Sequence, residues 1–431
     1  MRVRFTAKFG ILLLLSTLLL AACQPITAPR VNSSLPARNN GGRLAYIGGD
    51  GNVYVISADL TQKVAITHDA TTTSEGSGRS YHRVAWAPDG GLAFAAVERA
   101  MGVTQGELYV AQLGEAAQLV GSSVDNFVIY LYWSPVPCPE QPACQRLAYL
   151  IGNNTDITLR LVELAGDRVT NQEIGAGRPF YFSWAANGEQ LLWHRGGSGR
   201  GDPTAQISRF DIAGQIVHAT TARPGYFVAP AWSPVADQWL DVIDDQGTVI
   251  LRQVDAQTEA ATEILQSANE ISFVWSPDGS QIAYAARGRG DDPFYGPIHI
   301  YDLATRESRR ITDVDLHVQA FFWSPDGTRI GYLNWLALPN EAWVQWRVYD
   351  LAANQDRGFN AFLPSFPMRM MIGSFNQYAQ SDRFWSPDGR YLTYADRDRA
   401  LVERVWLVDT QAPRGADPIL VDEGVIGVWS W

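Results

Sequence analysis

Lysine is nearly missing from this 431-residue chain: Lys8 and Lys63 are its two lysines, and Lys+Arg together number 34 against 45 Asp+Glu, a net charge of −11. Removing residues 1–22, with Arg2, Arg4 and Lys8, leaves −14. So acidic a balance excludes a nucleic-acid backbone or an anionic bilayer surface as the main partner. The arginine bias suits bidentate carboxylate contacts, though genome base composition explains it more simply. Long apolar runs are also missing. The longest, Ile11–Ala22, holds about 12 residues where a span needs about 20. No periodic run is long enough for a bundle helix. Histidine and cysteine are scarce. The six histidines (68, 82, 194, 218, 299 and 317) are scattered with no pair at i, i+4, and no His lies near Cys138 and Cys144, which excludes a tetrahedral zinc site. There is no Gly-x-Ser-x-Gly elbow, and Gly196–Gly201 lacks the Lys-Ser/Thr ending of a phosphate loop. No catalytic residue, metal ligand or cofactor is expected. Paired carboxylates brought together at a ring centre are the one enzymatic possibility that linear motifs do not address.

What is present is glycine (38), proline (23), tryptophan (15), tyrosine (17) and phenylalanine (17), the profile of many short strands joined by tight turns. The chain opens with three cationic residues and the short apolar run, ending Leu20-Ala21-Ala22-Cys23. This reads as an export signal over 1–22. The ending resembles the bacterial lipobox, which implies cleavage before Cys23 and a lipid on its thiol. Residues 23–42 then form the lipidated tether, rich in Pro, Asn, Ser and Gly. About 19 residues give a reach of roughly 24 Å. An exported chain meets oxidising conditions, so Cys138 and Cys144 are expected to form a local disulfide.

Residues 43–431 are organised by one recurring phrase. It reads Trp86-Ala-Pro-Asp-Gly, Trp133-Ser-Pro, Trp184-Ala-Ala-Asn-Gly, Trp232-Ser-Pro, then Trp-Ser-Pro-Asp-Gly at Trp275, Trp323 and Trp385, and Trp429-Ser-Trp. The spacings are 47, 51, 48, 43, 48, 62 and 44 residues. Alternating runs such as Gln281-Ile-Ala-Tyr-Ala follow each copy, so each repeat is four strands, the first ending at Trp. Pro presets φ, Asp bonds its own backbone and Gly takes the left-handed position of the turn. A four-stranded unit at this period is a propeller blade. Burying each tryptophan between blades contributes about 5 kcal/mol at most. The chain begins with second, third and fourth strands (Arg43, Asn52 and Lys63 onward) and finishes on a lone first strand, Gly424–Trp429. Pairing those ends in one shared blade closes the ring and removes its free edge. The expected fold is an all-β, eight-bladed propeller, with seven blades as the alternative if the Trp184 or Trp232 repeat is out of phase.

Trp-Ser-Pro-Asp-Gly-x-x-Ile-x-Tyr, clearest at Trp275, Trp323 and Trp385, resembles the TolB-type, WD-repeat-like propeller family over residues 43–431. The resemblance is specific for fold and weak for function. The TolB role itself is not implied: that protein carries six blades and a separate N-terminal α/β domain, for which this chain has no room. Similar propellers precede the hydrolase domain of prolyl oligopeptidase-type peptidases, and no such domain is expected here.

The Ser-Pro-Asp-Gly turns share one face and are monotonous, so they read as structural. Variation lies on the opposite face, where binding loops belong. Its loops are Arg195–Ala205, Arg287–Pro297, Asn334–Trp343 and Asp396–Val402. Its crossings hold Tyr81, His82, Tyr130, Tyr181, Tyr226 and His317. Three features there are candidate contacts. Arg200-Gly-Asp202 and Arg289-Gly-Asp291 occupy matching loops, most simply as charged turns. Phe294, Tyr295, Trp335, Trp343 and Trp346 are either loop packing or an aromatic surface for a peptide or sugar. Residues 359–378, an insertion by the 62-residue spacing, hold Phe362, Phe366, Met368, Met370, Met371 and Phe375. They either re-pack around partners or form a lid over the ring centre. The expectation is a monomeric, lipid-anchored scaffold whose partner is an envelope protein. A glycan or small-ligand module is the alternative, and an enzyme at the ring mouth the third reading. A broad apolar patch over the Trp275 and Trp323 blades would favour the first, aromatic faces along a groove the second, convergent carboxylates the third.

Overall fold

The computed structural model describes residues 42–431, apart from 72–76, 113–115, 140, 142, 198–201, 221, 223, 226–227, 289–293 and 339–340. The readings of 1–41, Cys23 included, lie outside the described residues.

Each repeat folds as an antiparallel meander. The Trp184 repeat is representative: Phe180–Trp184, Gln190–Arg195, Gln206–Asp211 and Ile216–Ala219 pair in that order. Burial falls from the first strand outward. Ile271–Trp275 is buried throughout, while the fourth strands Ile216–Ala219 and Glu307–Arg310 are exposed throughout. The first strands therefore line the axis and the fourth form the rim.

The turns do what their residues dictate. In Trp275-Ser-Pro-Asp-Gly, the Ser276 hydroxyl donates to Asp278 Oδ1 at 2.6 Å and accepts the Gln281 amide at 2.9 Å. Asp278 Oδ1 also accepts the Ser280 amide at 3.0 Å, and Gly279 sits at φ +68°. The same set recurs around Ser324 and Ser386.

Tryptophan joins the blades as expected, with a hydrogen bond added. The Trp133 indole N–H donates to the carbonyl of Ala85 (3.1 Å), Trp184 to Tyr132 (2.9 Å), Trp275 to Ala231 (3.0 Å), Trp323 to Val274 (3.2 Å) and Trp385 to Phe322 (3.3 Å). Every acceptor is the residue just before the previous repeat's tryptophan. Trp86 donates to Val428 at 3.1 Å, which carries the chain of bonds across the two termini.

The ends close the ring. Leu44, Ala45, Tyr46 and Ile47 pair with Trp429, Val428, Gly427 and Ile426. Lys63 meets Asp422, whose Oδ2 also accepts the Tyr46 hydroxyl at 2.5 Å. The blade count differs from the eight expected. The described strands form seven sheets, six of four strands and one of six, so the molecule is a seven-bladed propeller. The cause lies at the seam and not at Trp184 or Trp232, each of which has its own sheet. Strand Ile419–Trp429 runs unbroken through 11 residues, pairing with Glu403–Asp409 as a fourth strand and with Arg43–Gly48 as a first. Two repeats thereby merge into one sheet. Trp385 contributes a single bridge, to Leu392, in place of a first strand.

Cys138 and Cys144 form the expected disulfide, Cα–Cα 5.2 Å, within a turn that also bonds the Cys138 amide to the Cys144 carbonyl at 2.9 Å.

Trp429 is fully buried at the closure. Trp429→Ala is expected to cost about 3–5 kcal/mol in reversible urea unfolding; a loss under about 1 kcal/mol would contradict a closure held by this side chain.

Candidate functional site

The insertion after the Trp323 blade is a cap on the central channel. Ser365 opens a helix over Phe366–Gly373, its hydroxyl accepting the Met368 amide at 3.2 Å, and a short helix follows over Phe375–Tyr378. Met368, Met371, Ile372, Phe375 and Tyr378 turn inward and are buried. Tyr378 stacks on Tyr130 (centroids 4.0 Å) and meets Tyr181 edge-on (5.6 Å), while Phe375 packs on Phe321 at 4.6 Å. Polar ties hold the cap to further repeats. Asn376 donates to Glu270 (2.8 Å), the Ala229 amide to the Asn376 carbonyl (3.1 Å), Ser183 to Gln380 Oε1 (2.9 Å) and Ser365 to the Val425 carbonyl (2.6 Å). Glu270, Ala229 and Val425 sit where first strands begin, so the start of the cap covers the variable-loop end of the channel, and Gln380 reaches further in, to Ser183 beside Trp184. Of the two readings of this segment, the lid describes its inner face. Its outer face leaves Phe366 and Met370 about half exposed, at 56% and 52%.

The sequence-derived residues scatter relative to this cap. Tyr81 is core, its hydroxyl donating to Asp69 at 2.8 Å. His82 bonds the Val128 carbonyl at 2.8 Å, and burial holds its pKa down to about 4. Tyr130 is buried, donating to Ser381 at 2.7 Å, and Tyr181 is half-buried beside Tyr378. Tyr295 is buried with its oxygen accepting from Ser272 at 2.7 Å, and Trp346 is fully buried. Phe294, Trp335 and the exposed His317 cluster with centroids 5.3 Å apart, and Trp343 donates to Glu341 at 2.7 Å. Asp202 accepts the Thr204 amide and hydroxyl of its own turn. Arg200, Tyr226, Arg289 and Asp291 lie outside the described residues. The exposed large apolar side chains on this face are Phe366 and Met370 on the cap, Leu401, Val314 in the crossing between the Trp275 and Trp323 blades, and Met101, Val103, Val124 and Phe127 around the Trp86 and Trp133 repeats.

The opposite end holds what sequence reasoning passed over. A cavity of about 410 Å³ sits among the Ser-Pro turns, walled by Trp184, Trp232, Trp275, Trp323, Trp385 and Trp431 and by Pro135, Pro234, Pro277 and Pro325. Asp382 and Arg383 line it and also line a smaller adjoining cavity of about 50 Å³ with His82, Arg83 and Tyr130. The Arg383 guanidinium lies 3.1 Å over the Trp431 ring. Burial raises the Asp382 carboxyl to about 8 against the opposing pull of Arg83, and lowers Arg383 to about 10. A signal for these residues exists in the repeat itself. Three positions before each tryptophan stand Tyr130, Tyr181, Ala229, Ser272, Ala320 and Ile426, but Arg83 and Asp382 in the remaining two; two positions before, Arg383 alone is charged. Among the described residues these cavities hold one carboxylate, so the convergent acid pair of the enzymatic reading is not assembled there.

Comparison with known proteins places the fold. TolB from Acinetobacter baumannii is 14% identical over 81% of this chain and 82% of its own, with a TM-score of 0.41. An oligogalacturonate lyase from Vibrio parahaemolyticus is 12% identical over 88% and 84%, TM-score 0.42. A prolyl endopeptidase is 11% identical, TM-score 0.52, covering 79% of this chain and 49% of that one. No family model and no curated protein matches the sequence. The chain is a β-propeller whose structural neighbours include TolB proteins; at this identity the likeness is one of fold. Those neighbours include enzymes as well as TolB. Among the described residues no helix is long and apolar enough to cross a membrane.

Asp382 has a sign-definite consequence. Its folded pKa lies above the carboxylate value of 3.8, so its contribution to stability is fully present below pH 3.8 and is lost as pH rises through about 8. Thermal unfolding of Asp382→Asn is expected to decline less than that of the parent chain between pH 5 and 9; parallel profiles would show that Asp382 is not held protonated.

Proposed function

We propose that this chain is a cell-envelope protein-interaction scaffold, anchored by lipid at Cys23, that engages an envelope protein through its variable-loop face. The observation that carries this reading is the outer surface of the cap. A segment whose inner face seals the channel presents Phe366 and Met370 outward beside Leu401, which is 68% exposed. The grouping is local: the Phe366 amide donates to Glu403 at 3.2 Å and Pro364 bridges Asp396, so the cap abuts the 396–403 loop. Exposed apolar side chains clustered on a rigid frame are the usual anchor of a protein contact.

The entry of the chain supports the orientation. Gly42 lies where an added Cβ would meet Pro387 and the Ser430 hydroxyl, at the Ser-Pro end. A lipid on Cys23 would tether that end to the bilayer and turn the cap away from it. Arg2, Arg4 and Lys8 before a short apolar run, and Leu20-Ala21-Ala22-Cys23, support export and lipidation.

Two measurements test this. Cross-linking in intact envelopes is expected to give a defined adduct that a Phe366→Ser, Met370→Ser, Leu401→Ser variant loses while keeping its melting temperature; an unchanged adduct would overturn the assignment of the face. Mass spectrometry of the membrane-extracted chain is expected to find diacylglycerol on Cys23, with Cys23→Ser released from the membrane fraction. An unmodified Cys23 would remove the anchor.

A further inference from the structure

Several arginines withdrawn from solvent in this protein are ion-paired. Arg79 reaches Glu107 at 2.6 Å, Arg252 reaches Asp241 at 2.8 Å and Arg347 reaches Asp356 at 2.5 Å. The turn aspartates around the tryptophan-walled cavity are committed too: Asp278, Asp326 and Asp388 each accept their own serine hydroxyl and a turn amide. Arg83 and Arg383 differ. Both line the channel cavities, both are half-buried, and among the described residues no carboxylate stands within ion-pair distance of either. Between these two cations Asp382 leaves one carboxyl oxygen, Oδ2, buried without a hydrogen-bond partner. A guanidinium withdrawn from bulk water without a counter-charge is costly, and so is an orphaned carboxyl oxygen. One occupant satisfies both: an anion that pairs with the guanidinium and accepts a hydrogen bond from a protonated Asp382. Burial favours that protonated form. The rest of the lining is mostly apolar, with Ser233, Ser276 and Gln380 among it, and about 410 Å³ falls within the range of about 300–1,000 Å³ typical of small-molecule sites. The cap closes the other end, so the pocket is blind.

We propose that the Ser-Pro end of the channel is a binding site for a small aromatic carboxylic acid, its carboxylate on Arg383 beside Asp382, its ring in the tryptophan-walled cavity. Arg83 adds positive potential from the adjoining cavity. The site is separate from the interaction face, and neither depends on the other.

Indole-3-acetate and its uncharged counterpart, indole-3-acetamide, are the probes, titrated calorimetrically into the full-length chain in detergent. The acid is expected to bind at least about tenfold more tightly than the amide, the worth of one charge-assisted contact. Arg383→Met is expected to bring the acid down to the amide's affinity and leave the amide unchanged, the retained amide binding reporting an intact cavity. Arg383→Lys should recover part of the difference. Equal affinities for acid and amide in the unmodified chain, or no heat from either up to about 1 mM, would overturn the proposal with no variant needed. The Phe366, Met370, Leu401 serine variant is expected to bind indole-3-acetate normally. Loss of binding there would also overturn the separation of the two sites.

Discussion

The molecule depends on one contact repeated around a ring: an indole wedged between neighbouring first strands, its N–H on the carbonyl that precedes the previous tryptophan. A four-stranded meander has two apolar faces and cannot bury either alone. Each tryptophan supplies a large apolar surface to one neighbour, and Trp86, Trp133, Trp184, Trp275, Trp323 and Trp385 add a directional bond that fixes how far round that neighbour sits. The Trp86 bond to the Val428 carbonyl matters most, because it joins residues 342 positions apart and turns a row of sheets into a ring. Strand Ile419–Trp429 does the same job through main-chain pairing, since it lies between Glu403–Asp409 and Arg43–Gly48. Ring closure is thus secured twice at the seam, by side chains and by main chain.

Closure creates a channel, and the two ends of the channel are treated differently. Toward the variable-loop end the first strands carry Tyr130 and Tyr181, both packed against Tyr378 of the insertion. The insertion fills that end with Met368, Met371, Phe375 and Tyr378. Methionine and phenylalanine suit an irregular gap where no strand can reach. At the Ser-Pro end the tryptophans converge and no segment among the described residues fills the centre. The asymmetry explains why one end carries an exposed apolar surface on a cap and the other a tryptophan-walled pocket.

Much of this was legible because the repeat encodes it locally. Ser276, Asp278 and Gly279 specify their turn whatever surrounds them, and the phrase period marks the strands. The missing first strand before Arg43 and the spare one at Gly424 announce the closure. The merged sheet was not legible, since counting phrases cannot show whether the chain breaks between a fourth strand and the next first strand. Burial of Tyr81, Tyr295 and Trp346 was hidden for a related reason. A crossing residue looks alike whether it faces solvent or a neighbouring blade, and only the packing of the cap and adjacent sheets decides. Arg83, Asp382 and Arg383 were readable in principle: aligning the positions before each tryptophan isolates them. Reading the turns as uniform drew attention away from the residues that precede them.

Uniform turns and a singular interior belong together. A ring of near-identical blades offers near-identical groups to its axis, so it recognises nothing by itself. Discrimination requires that a few repeats break the pattern at positions facing the channel. Here the breaks are charged, they fall in the Trp385 repeat, which is part of the merged sheet, and in the Trp86 repeat next to it, and they adjoin the insertion that closes the far end. A cation withdrawn from water, facing indoles and an unsatisfied carboxyl oxygen, is expensive to keep in a fold that gives Arg79, Arg252 and Arg347 carboxylate partners. The frame can carry that cost because its stability is distributed over many interblade contacts, leaving the axis free to hold groups chosen for what they can bind.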